Sequence, residues 1–136
     1  MALTVALILA ALAAIHVYWG IGGMAGPSVA VPEVDGKPLF IPTRFACFAV
    51  AGALGLASLL LLSRGGFVST LLPASWIQVG TVGVGVVFVL RAVGDFRVVG
   101  FFKRVRGTPF AAWDTRLFSP LCLGIGLASL WVALAT

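Results

Sequence analysis

Polar positions are scarce along this chain and unevenly placed. Four stretches carry no charge: Ala2 to Gly23, Phe45 to Ser63, Leu71 to Leu90, and Leu117 to Thr136. Each approaches the ~20 residues that a helix needs to cross ~30 Å of hydrocarbon. Backbone N–H and C=O groups find no water at that depth, so a helix that satisfies them internally is the economical solution. A membrane barrel would alternate apolar and polar residues in strands of ~10, and that alternation is absent. The pattern predicts an all-α membrane protein, a four-transmembrane-helix bundle forming one domain over residues 1–136. The expected spans are 3–23, 44–63, 73–93 and 116–135.

Composition strengthens this reading. The chain is 61% hydrophobic and only 10% charged, against roughly 25% charged residues in a soluble domain. The first stretch contains ALAA at 11–14, similar to a leader-cleavage site. It lacks the basic segment that precedes such a site, and its apolar run continues to Gly23, so it reads as a retained helix. Two cysteines, Cys47 and Cys122, are too few for a disulfide framework and lack metal-ligand spacing. With a single histidine, no metal site is expected, and nothing in the sequence asks for a cofactor.

The connections differ in character. The first, about Met24 to Arg44, holds Pro27, Pro32, Pro38 and Pro42 with Glu33, Asp35 and Lys37, which disfavours a long helix. The second, about Arg64 to Pro73, is short. The third, about Gly94 to Arg116, is strongly basic. Because helices alternate direction, the first and third connections share one membrane face. Lys37, Arg44, Arg97, Lys103, Arg104, Arg106 and Arg116 lie there, opposite Arg64 alone. The positive-inside rule then expects the basic loops in the cytoplasm and both termini outside.

The two halves resemble each other. Residues 43–58 read TRFACFAVAGALGLAS and 115–129 read TRLFSPLCLGIGLAS, an expected pair of parallel-repeated helix hairpins. Gly52, Gly55, Gly80, Gly83, Gly124 and Gly126 fall within apolar spans. Small residues let backbones approach in lipid, so these glycines are expected to pack the bundle.

The few charges gather on the face of the basic loops. Arg91 and Asp95, spaced i, i+4, are expected to pair on one side of the third helix, and Asp114 with Arg116 at the start of the fourth. An interfacial pair avoids most of the ~3 kcal/mol cost of a lone charge at the bilayer centre. His16, Tyr18 and Trp19 end the first span at the same level, and Arg44 and Cys47 begin the second. His16, Trp19, Arg44, Arg91, Asp95, Asp114 and Arg116 are therefore the candidate ligand-binding residues of a single polar cluster, with residues 24–43 expected to fold over it as a lid. Trp19, Trp113 and Tyr18 also suit an interfacial aromatic belt.

Within the third connection, Val98, Phe101, Phe102 and Val105 follow i, i+3, i+4, i+7. Arg97, Lys103, Arg104 and Arg106 fall opposite. The pattern predicts an amphipathic helical segment at 97–106 lying in the headgroup plane, its basic residues on anionic lipid. A basic cluster tied to the membrane surface makes nucleic acid a poor partner.

IHVYWGIGG at 15–23, RAVGDFRVVGFFK at 91–103 and DTRLFSPLCL at 114–123 resemble the signature segments of a family of small four-helix bacterial membrane proteins, a domain of unknown function. The resemblance implies the four-helix membrane fold and supplies no activity, substrate or catalytic residue.

Three functions fit these observations. The first is binding or transport of a small amphipathic or anionic ligand at the polar cluster. The second is an accessory or structural subunit of a larger membrane complex. The third is a membrane enzyme acting on a lipid or quinone-like substrate, with His16 as acid or base and the two cysteines exchanging electrons. The third has the least support, because no CxxC, carboxylate cluster or nucleophile–base pair is legible.

Overall fold

Strong helix-stop signals divide the chain into rods. The computed structural model describes residues 1–135. It contains α1 (Ala2–Gly20), α2 (Pro27–Ala30), α3 (Arg44–Arg64), α4 (Ala74–Val93), α5 (Pro109–Trp113) and α6 (Ser119–Ala135). A π-helical turn at Asp114–Phe118 joins α5 to α6 without a break. A two-residue antiparallel pair, β1 (Glu33–Val34) with β2 (Lys37–Pro38), sits in the first connection, with Glu33 opposite Pro38. Four helices are long and apolar enough to cross a membrane: α1, α3, α4 and the continuous rod Pro109–Ala135. They match the expected spans within a few residues, except that the last begins earlier.

The ends follow from local chemistry. Thr43 caps α3, its Oγ1 accepting the Ala46 N–H at 3.1 Å. Thr108 does the same for α5 through Ala111, with Pro109 in the first turn where no N–H is needed. The α4 helix stops at Gly94, whose φ of +87° is open to glycine at little cost.

The rods pack chiefly as two sequential hairpins, α1 with α3 and α4 with α6. Thinner contacts between α3 and α4, and between α1 and α6, close the bundle. At the seam of the second hairpin, Gly85 and Gly126 face each other. A Cβ on Gly85 would lie 3.0 Å from the Gly126 carbonyl oxygen, and one on Gly126 2.9 Å from that of Gly85. Such closeness gains dispersion contacts that lipid tails cannot replace. In the first hairpin, Ser58 Oγ donates to the Ala6 carbonyl at 2.8 Å. Val5, Ala6, Leu9, Leu61, Ile125 and Val132 form the buried core. The expectation for the glycines holds only in part. Gly80 meets the Leu60 side chain, but Gly52, Gly55, Gly83 and Gly124 face open space.

The Thr-Arg openings of the two halves are not equivalent. Thr43 caps α3, whereas Thr115 lies inside the π-helical turn. The connections divide between the ends as alternation requires. The α2 segment packs on α5, bringing the first and third connections together. At the other end, Arg64 Nη2 and Gln78 Nε2 donate to the Ala133 carbonyl at 2.9 and 3.2 Å, which satisfies an acceptor of the last helical turn.

Candidate functional site: an ion knot and a roofed cavity

The residues expected to form one cluster form two. The first is built around Asp114, which is fully buried where α5 passes into the π-helical turn. Its Oδ1 accepts from Arg91 Nη2 at 2.8 Å. Its Oδ2 accepts from the Gly100 N–H at 2.8 Å and from Lys103 Nζ at 3.0 Å. Lys103 is also fully buried. Its ammonium donates further to the Gly100 carbonyl at 2.9 Å and to Thr115 Oγ1 at 2.6 Å, so all three of its protons are used. A buried carboxylate is tolerated only when such partners replace its hydration.

The loop that carries Lys103 is stitched to the end of α4. Phe101 N–H donates to the Ala92 carbonyl at 2.9 Å, and Asp95 N–H to the Val99 carbonyl at 3.2 Å. The strands of loop cross so closely that a side chain on Gly94 would strike the Val99 carbonyl, and one on Gly100 the Val93 carbonyl. Asp95 Oδ1 accepts the N–H groups of Arg97, Val98 and Val99 at 2.9, 2.8 and 3.0 Å. Loss of some hydration pushes the exposed Asp95 carboxyl upward, but the backbone bonds from Val99, Arg97 and Val98 outweigh it and hold the group below the usual carboxylate range.

These contacts correct three expectations. Arg91 pairs with Asp114 across 23 residues, not with Asp95, because Asp95 lies beyond the end of α4 and serves the loop backbone. Asp114 takes Arg91 and Lys103 in place of Arg116, which is exposed. Residues 97–106 form turns and bends, not a helix, since Gly94, Phe96 and Gly100 all take positive φ. Lys103 therefore points inward, not at lipid headgroups. Val98 is buried as the apolar stripe expected, while Phe102 of the same stripe is exposed. Arg97, Arg104 and Arg106 remain exposed beside it.

The second site is a cavity of about 480 Å³ at the end of α1 and the start of α3. His16, Trp19 and Cys47 form part of its wall, and Met24, Phe40 and Ile41 come from the first connection above. Part of the expected lid is there: Met24, Pro27, Ala30, Val31 and residues 40–43 form an open roof beside His16 and Cys47, and Arg91 and Asp114 are not among the lining residues. The His16 ring donates from Nδ1 to the Leu12 carbonyl at 2.8 Å. It meets Trp19 edge to face, with centroids 5.1 Å apart and planes at 68°. Trp19 Nε1 donates to the Ala25 carbonyl at 2.8 Å, and Tyr18 Oη accepts the Ala25 N–H at 3.3 Å. The aromatic pair read as a belt therefore also anchors the roof. Arg44 is exposed and lies outside the lining.

The cysteines are both free and belong to different sites. Cys47 lines the cavity, whereas Cys122 lies within electrostatic reach of Arg91 and Asp114. Among the described residues, no group of three or more His, Cys, Asp and Glu side chains comes together as a metal set. Sequence reading missed Lys103 and Thr115 as members of the knot. The paired glycines in GDFRVVG were a usable signal, since seven residues bounded by glycines suit a tight loop better than a helix.

A family model described as "Protein of unknown function (DUF3995)" matches residues 9–129, which include both sites. No curated protein and no solved structure matches the chain significantly.

Proposed function

The chain belongs to this family of unknown function (DUF3995), and from that premise we propose that it binds a small amphipathic molecule in the roofed cavity at one membrane interface. The observation that carries the reading is the cavity itself. About 480 Å³ falls within the range of small-molecule sites, and a mostly apolar wall with a few polar groups is the usual lining. An imidazole, a thiol and an indole stand in that wall. The ion knot stands apart from this reading, because Asp114, Lys103 and Arg91 do not line the cavity.

Ala46 lines the cavity at the start of α3, so Ala46→Trp would fill it. Native mass spectrometry of protein extracted in mild detergent should show an adduct of a few hundred daltons that Ala46→Trp removes without lowering the melting temperature. An identical adduct pattern in both proteins would sink the reading.

The surrounding membrane is part of the proposal. Exposed Arg97, Arg104 and Arg106, with Lys37 and Arg44, favour anionic headgroups at this face and its orientation toward the cytoplasm, and the family resemblance alone suggests a bacterial inner membrane. In a background lacking Cys47 and Cys122, Arg64→Cys should react with an impermeant thiol reagent added outside, and Arg104→Cys should not. The reverse labelling would invert the topology.

A further inference from the structure

The hydrogen bonding of the cavity wall restricts its occupant further. Resting on the binding reading above, we infer that the ligand carries a hydroxyl, as an alcohol or phenol, that donates to His16 Nε2. A carbonyl oxygen can only accept, so the contact between His16 Nδ1 and the Leu12 carbonyl fixes the proton on Nδ1. In its neutral form the ring then offers Nε2, the nitrogen that this bond does not use, as an acceptor. The edge-to-face contact with Trp19 holds the ring in that attitude.

Thr43 supplies the complement. Its Oγ1 accepts the Ala46 N–H as the cap of α3, and its own hydroxyl hydrogen is not used by that bond. Thr43 lines the same cavity as His16. The lining thus offers an acceptor and a donor, and a hydroxyl can answer either one. The rest of the lining, with Met24, Phe40, Ile41 and Val50, asks for an apolar body. An ether or ketone of the same shape would accept from Thr43 but leave Nε2 without a partner in a partly desolvated site, which discriminates against it.

His16 is the only histidine in the chain, so nitrogen-15 labelling of histidine gives a one-residue spectrum. The test uses the full chain in a neutral detergent, with 1-naphthol and its methyl ether as probes. Both are apolar and of nearly one size; only the first donates. The structure assigns the naphthol about tenfold tighter binding, with a shift of the Nε2 resonance that the ether does not produce. His16→Phe should equalise the two probes, and Ala46→Trp should abolish specific binding of both. Equal binding of the two probes to the native protein, with Nε2 unmoved, would overturn the hydroxyl inference and leave the cavity reading standing. Binding of neither probe would overturn both.

Discussion

The first and third connections meet at one end of the bundle, yet they solve opposite problems. Parts of residues 24–43 stand beside the ends of α1 and α3 and wall an open cavity there. Residues 94–113 fold back onto α4 and are cross-linked to it through buried charges. The first holds four prolines, which stiffen the chain while removing donors that could stitch it down. Its charged residues are not buried, and its anchor is the Ala25 backbone held by Trp19 and Tyr18. The third has a buried carboxylate that must be matched, and matching it draws Arg91, Gly100 and Lys103 to one point. A buried charge makes a loop closed and determinate; an apolar strap with few cross-links can span a space. The contrast places the buried charge network on one hairpin and the larger of the two cavities at this end, about 480 against 360 Å³, on the other.

The knot offers the strongest way to break that contrast. Asp114→Ala removes the anion and leaves Lys103 buried without its charge partner, which should cost about 3–5 kcal/mol. The exposed Asp35→Ala in the first connection should change stability by less than about 0.5 kcal/mol. Thermal unfolding followed by circular dichroism in detergent reads both, and similar losses would erase the distinction. The pair Lys103→Met with Asp114→Leu should be milder than Asp114→Ala alone, because Arg91 is partly exposed and can reach water.

Glycine exchange gives a smaller effect in the same direction. Gly100 has φ of +90° and no room for a side chain, so Gly100→Ala should lose about 1–3 kcal/mol from backbone strain and more from the collision with Val93. Gly36 in the first connection has φ of +73° and open space around it. Gly36→Ala should lose only about 1 kcal/mol. Equal losses, measured as shifts in melting temperature, would show that the third loop is no more crowded than the first.

The mildest handle is pH. The folded Asp95 carboxyl sits below its unfolded value, so its contribution is fully present above about pH 4 and fades as pH falls through the lowered folded value. Protection of the Val98 and Val99 amides from hydrogen exchange should fall in that acid window. Asp95→Asn should flatten the dependence. Unchanged protection across the window would mean that the three N–H bonds to Asp95 contribute little.

Much of this was legible in the residues, for particular reasons. The spans at 3–23, 44–63 and 73–93 lie close to α1, α3 and α4, because uncharged length is a local property that needs no knowledge of partners. The gathering of polar groups at one end was legible too, since alternation of direction assigns each connection to a side. Its division into two sites was not. Arg91 to Asp95 satisfied the i, i+4 rule, but helix α4 ends at Val93, before that rule can apply. Val98, Phe101, Phe102 and Val105 kept helical spacing, but the spacing says nothing of a positive φ at Gly100. Cys47 and Cys122 looked alike in the repeat and went to different places.

The sequence by itself therefore determined the rods, their number and the end of the bundle at which polar chemistry collects, because the cost of exposing backbone and charge to hydrocarbon is set residue by residue. Only the tertiary structure decided which charges neutralise one another and where space is left. Ion pairing depends on through-space distance between residues far apart in the chain, and a cavity is a property of what fails to pack, which no single stretch of sequence encodes.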